Sequence, residues 1–231
     1  MIFNFNVFSL ILISAGLLTF YMSLSIFKKL GRAVYSFGYI MGAIALWAIS
    51  YGIELSCTSL DAMLFWVNVE YLGIATLPAL WMVFVLTYIG KKSRVTGQLL
   101  AGIFSVPVIT ILLVWTNNLH HLHYTSVSVS QVDNYALLDI VPGVWYQVFT
   151  IYFYVMLAMG IYFLVRQSRF APVIYRKQYR TIIASALIPW AVNLLYLLGL
   201  RPLGHVDLTP FAFICTALII AVGLQRYQRF D

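Results

Sequence analysis

The chain has 231 residues, 62% of them hydrophobic and only 9% charged, and a formal charge of +7. Soluble domains are about 45–50% apolar and about 25% charged, so a soluble fold of this length would lack the polar surface to cover itself. Lipid is the expected solvent, and nucleic acid is not an expected partner, because the cations form no basic helix face and fall only between apolar segments.

In chain order, apolar runs of about 18–25 residues predict transmembrane helices. They cover residues 3–27, 33–55, 62–89, 97–115, 145–166, 179–200 and 208–225. The first run is too long for a signal peptide and has no basic leader, so it reads as a retained helix. The long connection, about 116 to 144, contains "HYTSVSVSQVDNYALLDIV". Its alternation through Val127 and Val129 around the turn-prone pair Asp133-Asn134 predicts a β-hairpin over the outer mouth of the bundle. An irregular loop is the plainer alternative. With no repeat and no linker, residues 1–231 read as a single seven-helix domain. Cys57 and Cys215 make no disulfide framework.

The charges give a direction. Lys28, Lys29 and Arg32 follow span 1; Lys91, Lys92 and Arg94 follow span 3. Arg166, Arg169, Arg176, Lys177 and Arg180 follow span 5, and Arg226 and Arg229 follow span 7. These are thirteen of the fourteen Lys and Arg residues, all on alternate connections; Arg201 alone lies on the other set. Every acid except Asp231 lies at or toward that other side. The positive-inside rule then puts the amino terminus outside and the carboxyl terminus in the cytoplasm. Count and charge agree, because only an odd number of spans separates the ends.

The acids sit where burial is costly. Glu70 lies about nine residues in from Asp61, roughly 13 Å deep at 1.5 Å per residue. Asn193 is roughly 10 Å deep on the same reasoning. Glu54 closes the outer end of span 2, and Asp207 opens span 7 from outside. Ionisable groups inside a span cost a few kcal/mol and face the bundle or a wet cavity. Trp66, Glu70, Gly73, Leu77 and Trp81 recur at helical steps and share a face; Trp47, Tyr51 and Glu54 do the same on span 2. Pro189, Asn193 and Tyr196 share a side of span 6. Pro189 and Pro210 each remove a backbone donor and are expected to leave a carbonyl unpaired. Together these predict an outward-opening pocket with aromatic walls. Plainer readings stand beside it: Glu54 solvated among headgroups, Asp207 capping a helix with Thr209, and Asn193 bonding between helices. Glu70 is too deep to snorkel easily. "HHLH", with His120, His121 and His123, has loose metal spacing and no neighbouring carboxylate or cysteine; exposed loop histidines and a pH-sensitive rim are the two readings left for it. No lysine lies within a span, which excludes a retinal Schiff base. Nucleotide-binding, nucleophile and metalloprotease motifs are missing, as is the half-to-half symmetry of a transporter.

The order of these features resembles a known family. An outer-end Glu on span 2 precedes "EYLGIATLPALWMVFVLTYIG" on span 3 and "TNNLHHL" after span 4; "IPWAVNLLYLLG" lies on span 6 and "DLTPFAF" opens span 7. This resembles the seven-transmembrane amino-terminal sensor region of bacterial histidine kinases, also found ahead of diguanylate cyclases, over nearly the whole chain. Glu54, Glu70, Pro78, Trp81, Asn117, His120, Pro189, Asn193, Asp207 and Pro210 match its recurring positions.

The resemblance implies a plasma-membrane signal-input domain, a kinase or cyclase output in cis and a homodimer. A small external or membrane-dissolved ligand is expected on Glu54, Glu70, Trp81, Asn117, His120, Asn193 and Asp207. The sequence stops after "GLQRYQRFD" with no phosphoacceptor histidine or ATP site, as a trimmed or stand-alone sensor would. A small proton-coupled transporter using Glu70 is the alternative. A membrane enzyme or quinone-binding subunit is a third reading, and it would need histidines or carboxylates clustered in the spans.

Overall fold

In hydrocarbon the backbone has to satisfy its own hydrogen bonds, and a helix does so within one segment. The computed structural model, which describes residues 4–29, 35–132, 135–199 and 206–228, is accordingly mostly helical. The helices are α1 (Val7–Lys29), α2 (Tyr35–Glu54), α3 (Leu60–Tyr88), α4 (Gly97–Trp115), the single turn α5 (Asn117–His120), α6 (Val144–Phe170), α7 (Val173–Leu197) and α8 (Thr209–Gln228). Two antiparallel strands, β1 (Tyr124–Val132) and β2 (Tyr135–Pro142), lie between α5 and α6. Among the described residues, five helices are long and apolar enough to cross a membrane: α1 over Val7–Phe27, and α2, α3, α4 and α6. Thr209–Val222 is a shorter apolar helix. The expected turn at Asp133-Asn134, together with Arg32, Leu200, Arg201, Arg229, Asp231 and the side chain of Tyr196, lies outside the described residues.

Two local expectations change. The basic stretch between α6 and α7 is mostly helix, interrupted only at Ala171 and Pro172. Arg, Lys and Gln are good helix formers, so the helices run on past the apolar runs that mark them. Pro210 sits in the first turn of α8, where its missing N–H has no intrahelical partner to lose, so it frees no carbonyl there. Pro78, Pro107 and Pro189 are interior to α3, α4 and α7.

The centre of the bundle is α2 against α3. Their apolar stretches are 72% and 67% buried, whereas those of α1, α4 and α6 are 28%, 22% and 22% buried. The outer helices turn residues such as Leu17, Leu18, Ile109, Leu112, Ile151 and Val155 outward, as lipid permits. Small residues let the backbones meet. A Cβ on Gly73 of α3 would stand 2.5 Å from the Ala43 carbonyl of α2. A Cβ on Gly160 of α6 would meet the Trp81 indole nitrogen at 2.1 Å. Side-chain hydrogen bonds also cross the seams. Ser23 Oγ donates to the Gly38 carbonyl at 2.7 Å, Tyr88 OH to Gln178 Oε1 at 2.9 Å and Thr216 Oγ1 to the Ser185 carbonyl at 2.7 Å.

The hairpin packs onto one end of this bundle. Val129, Ala136 and Leu138 rest on Cys57, Ala62 and Met63, where α2 turns into α3. Its base is tied by Asn117, which is buried. The Asn117 amide oxygen accepts from the His123 and Tyr124 amides at 3.0 Å each, and its nitrogen donates to the Tyr124 carbonyl at 3.0 Å. Gly143 leaves no room for a side chain, since a Cβ there would lie 2.2 Å from the Leu122 carbonyl. The three histidines diverge. His120 and His121 are exposed, and His121 adopts the left-handed conformation at φ 53°. His123 is fully buried, edge-on to Tyr71 and Tyr124, and neither ring nitrogen has a hydrogen-bond partner. The described residues contain no group of three His, Cys, Asp or Glu side chains able to hold a metal.

Two predictions follow from these seams. Gly73→Leu should separate α2 from α3 and sharply reduce the folded yield. Gly73→Ala should cost about 1–3 kcal/mol by overpacking, read as a lowered thermal midpoint in detergent; an unchanged midpoint for both would refute the close approach. Burial, reinforced by His120, depresses the His123 imidazole to about 4. A histidine depressed in the fold stabilises it fully above its free value near 6.5, and that contribution is lost as pH falls from there toward 4. Protection of the Tyr124–Pro142 amides from hydrogen exchange should therefore drop between pH 7 and 4, by up to about 3 kcal/mol. A His123→Phe variant should lose this acid sensitivity.

Candidate functional site

Four elements bring polar groups to one place. The last two turns of α2 present Trp47, Tyr51 and Glu54 at three- and four-residue steps, along one face. The adjoining face of α3 presents Val67, Glu70, Tyr71 and Ile74. Asn193 comes from α7, and Asp207 and Thr209 come from the start of α8. Between them lies a cavity of about 360 Å3, within the range of small-molecule sites. Tyr146, Phe149, Phe153 and Tyr154 of α6 form one wall, and Leu137 to Ile140 of β2 cover it.

A chain of hydrogen bonds crosses the helices beside this cavity. The Asp207 amide donates to the Tyr51 hydroxyl at 2.8 Å. Asp207 Oδ1 accepts from the Thr209 amide at 2.8 Å, so this carboxylate does cap α8 as its plainer reading has it. The Asn193 amide nitrogen reaches Thr209 Oγ1 at 3.5 Å, and its oxygen accepts from the Tyr154 hydroxyl. The run Tyr51, Asp207, Thr209, Asn193, Tyr154 thus joins α2, α8, α7 and α6.

The two glutamates are placed differently. Glu54 is 4% exposed and is buried in protein, which sets aside headgroup solvation. Glu70 is 5% exposed. The Trp47 indole lies close to its carboxylate, while Oε1 has no hydrogen-bond partner. Below the acids the interior turns dry. A second space of about 40 Å3 is enclosed almost wholly by apolar side chains, among them Phe37, Leu77, Trp81, Leu157 and Ile220.

Of the seven residues expected to meet a ligand, Glu54, Glu70, Asn193 and Asp207 line the larger cavity together. Trp81, Asn117 and His120 are not among its lining residues. Trp81 lies two turns or more below Glu70, wedged against Gly160 and lining the smaller space. Asn117 ties down the hairpin base. His120 is exposed, its Nδ1 accepting from the Leu122 amide at 3.0 Å and its Nε2 lying 3.1 Å from Thr116 Oγ1. Asp139, which β2 brings to the rim, and the tyrosines at 71, 146 and 154 also line the cavity, and no local spacing in the sequence marks them. Asp139 pairs with Ser128 across the hairpin, so only the strand register could have pointed to it. Cys57, beside Glu54, is a free buried thiol pushed up by burial first and by that carboxylate second; Cys215 is also free.

Comparison with known proteins gives one result. Residues 10–231 match the family described as the N-terminal 7TM region of histidine kinase. No curated protein matches the chain. The match covers nearly the whole sequence and agrees with several apolar helices of membrane-crossing length. The chain is therefore a multi-pass membrane protein and belongs to the family of amino-terminal seven-transmembrane sensor regions of histidine kinases, whose output domains are cytoplasmic and in cis.

Proposed function

We propose that residues 1–231 form one sensory domain of seven spans in the plasma membrane, amino terminus outside and carboxyl terminus in the cytoplasm. A small molecule enters the cavity between α2, α3, α7 and α8 from the outer side, beneath the hairpin. The observation that carries this reading is the cavity itself, which gathers Glu54, Glu70, Asn193 and Asp207 around one space. The orientation rests on the cation pattern of the connections.

Binding works as a signal only if the guest favours one arrangement of the helices over another. The hydrogen-bonded run from Tyr51 to Tyr154 supports such coupling, because a guest that shifts Asp207 or Asn193 repacks α7 and α8 together. α8 then carries the bias to the cytoplasmic output, in a homodimer of the kind that kinase outputs use. A coupling of about 1–3 kcal/mol changes the output about 5- to 150-fold.

The alternative, a proton-coupled permease, needs a polar route through the whole bundle. The dry, apolar space beneath the acids argues against one.

Glu70→Gln, in the chain joined to its kinase output, should insert normally yet reduce the output change evoked by small-molecule extracts at least about fivefold. An unchanged dose response would count against the cavity. Proteoliposomes of the chain should show no solute uptake driven by a proton gradient, and clear uptake would promote the permease.

A further inference from the structure

Resting on the sensor reading, and adding the class of ligand to it, we propose that the cavity binds a compact organic cation, a quaternary or protonated ammonium compound held over aromatic faces by carboxylates. Four carboxylates, those of Glu54, Glu70, Asp139 and Asp207, line this one space, and its described lining contains no Lys, Arg or His. A cluster of acids alone would say little. The second observation is Glu70, which is 95% buried and lines the cavity while its Oε1, covered by protein, has no hydrogen-bond partner, so a turn of the carboxylate toward a guest would relieve it. A buried carboxylate lacking a partner is costly, and a cationic guest supplies both the countercharge and, when protonated, a donor.

The walls narrow the kind of cation. Nine of the 23 lining residues are aromatic, Trp47, Tyr51 and Tyr71 flanking the two glutamates. The electron-rich faces of Trp and Tyr attract ammonium groups, and aromatic enclosures are the recurrent way of holding quaternary ones. A bare metal ion fits poorly. No metal-holding group exists among the described residues, and a space of about 360 Å3 is far larger than an ion fills. An anion would meet carboxylates on the helices and on the hairpin. Asp139 is exposed at the rim, where its charge draws cations toward the opening.

The test uses the purified chain in maltoside micelles, free of choline-headed lipid. Tetramethylammonium, choline and benzyltrimethylammonium chlorides are titrated at constant ionic strength, with 3,3-dimethylbutan-1-ol as the uncharged isostere of choline. Tryptophan fluorescence, to which Trp47 contributes, and the thermal midpoint are read. At least one cation should give a saturable response at least tenfold tighter than the neutral isostere, and Glu70→Gln should weaken it at least tenfold. Should that variant fail to fold, Asp139→Asn at the exposed rim should weaken cation binding several-fold with helicity unchanged.

The proposal is overturned by no saturable response to any cation, by equal affinity for the neutral isostere, or by a response indifferent to these substitutions. Arg201→Ala controls for the chain's own cation on this side of the sequence: a response that appears only in that variant would assign the site to the arginine and overturn the proposal. A signalling defect in Glu70→Gln without cation preference would leave the sensor reading standing and remove only the ligand class. Absence of both would remove the two together.

Discussion

The contact on which the rest depends is the one between α2 and α3 at Gly73. There the absence of a side chain lets one helix rest on the backbone of the other, against Ala43 and Trp47. Gly73 lies one turn from Glu70. The same closeness that seats Gly73 on Trp47 brings the Trp47 indole to the Glu70 carboxylate. A larger residue at this point would hold the helices apart and strand an acid that hydrocarbon cannot solvate. The packing of the two central helices is thus decided one turn from the acid, and the cavity that Glu70 lines opens beside it.

Around this centre the remaining helices differ in how firmly they are bound. α1 meets α2 through Gly16 and Gly52, each with a neighbour inside 3 Å of where a Cβ would stand. α7 and α8 have fewer such seams and rely on side-chain hydrogen bonds, Thr216 to Ser185 at one level and Asn193 to Thr209 at another. Hydrogen bonds exchange partners at modest net cost, whereas a steric seam between backbones has no alternative register. In the proposed sensor the half nearest the chain's carboxyl end would be the half that shifts, and it is the half that the family joins to an output domain.

Most of the architecture could be read in advance because lipid leaves so few solutions. Each apolar run carries a helix, and the acids of α2, α3 and α8 come together as their depths and faces imply. Where the structure differs from these expectations, the causes are physical. Helix ends between Phe170 and Val173 were invisible because Arg and Lys suit a helix as well as a loop. Trp81 shares a face with Glu70, but a face is long, and eleven residues of helix put the two at different levels. Asn117 and His120 were singled out by family resemblance, which marks recurrence without saying whether a residue holds a ligand or a turn. Asp139 and the tyrosines of α3 and α6 reach the cavity through strand register and helix packing, neither of which local spacing encodes.

The hairpin has a kinetic consequence. Its base is sewn to Asn117 and Gly143, and its apolar residues rest on the α2 to α3 corner, so β2 lies across the cavity as a fastened cover. In the proposed sensor a guest would pass more freely when Leu138 and Val129 peel from Cys57 and Met63, widening the opening at the Asp139 rim. Release from such a site would then depend on the fastening of a strand pair as well as on the grip inside. Such a receptor would average its surroundings over the lifetime of that closure, registering sustained exposure and ignoring brief pulses.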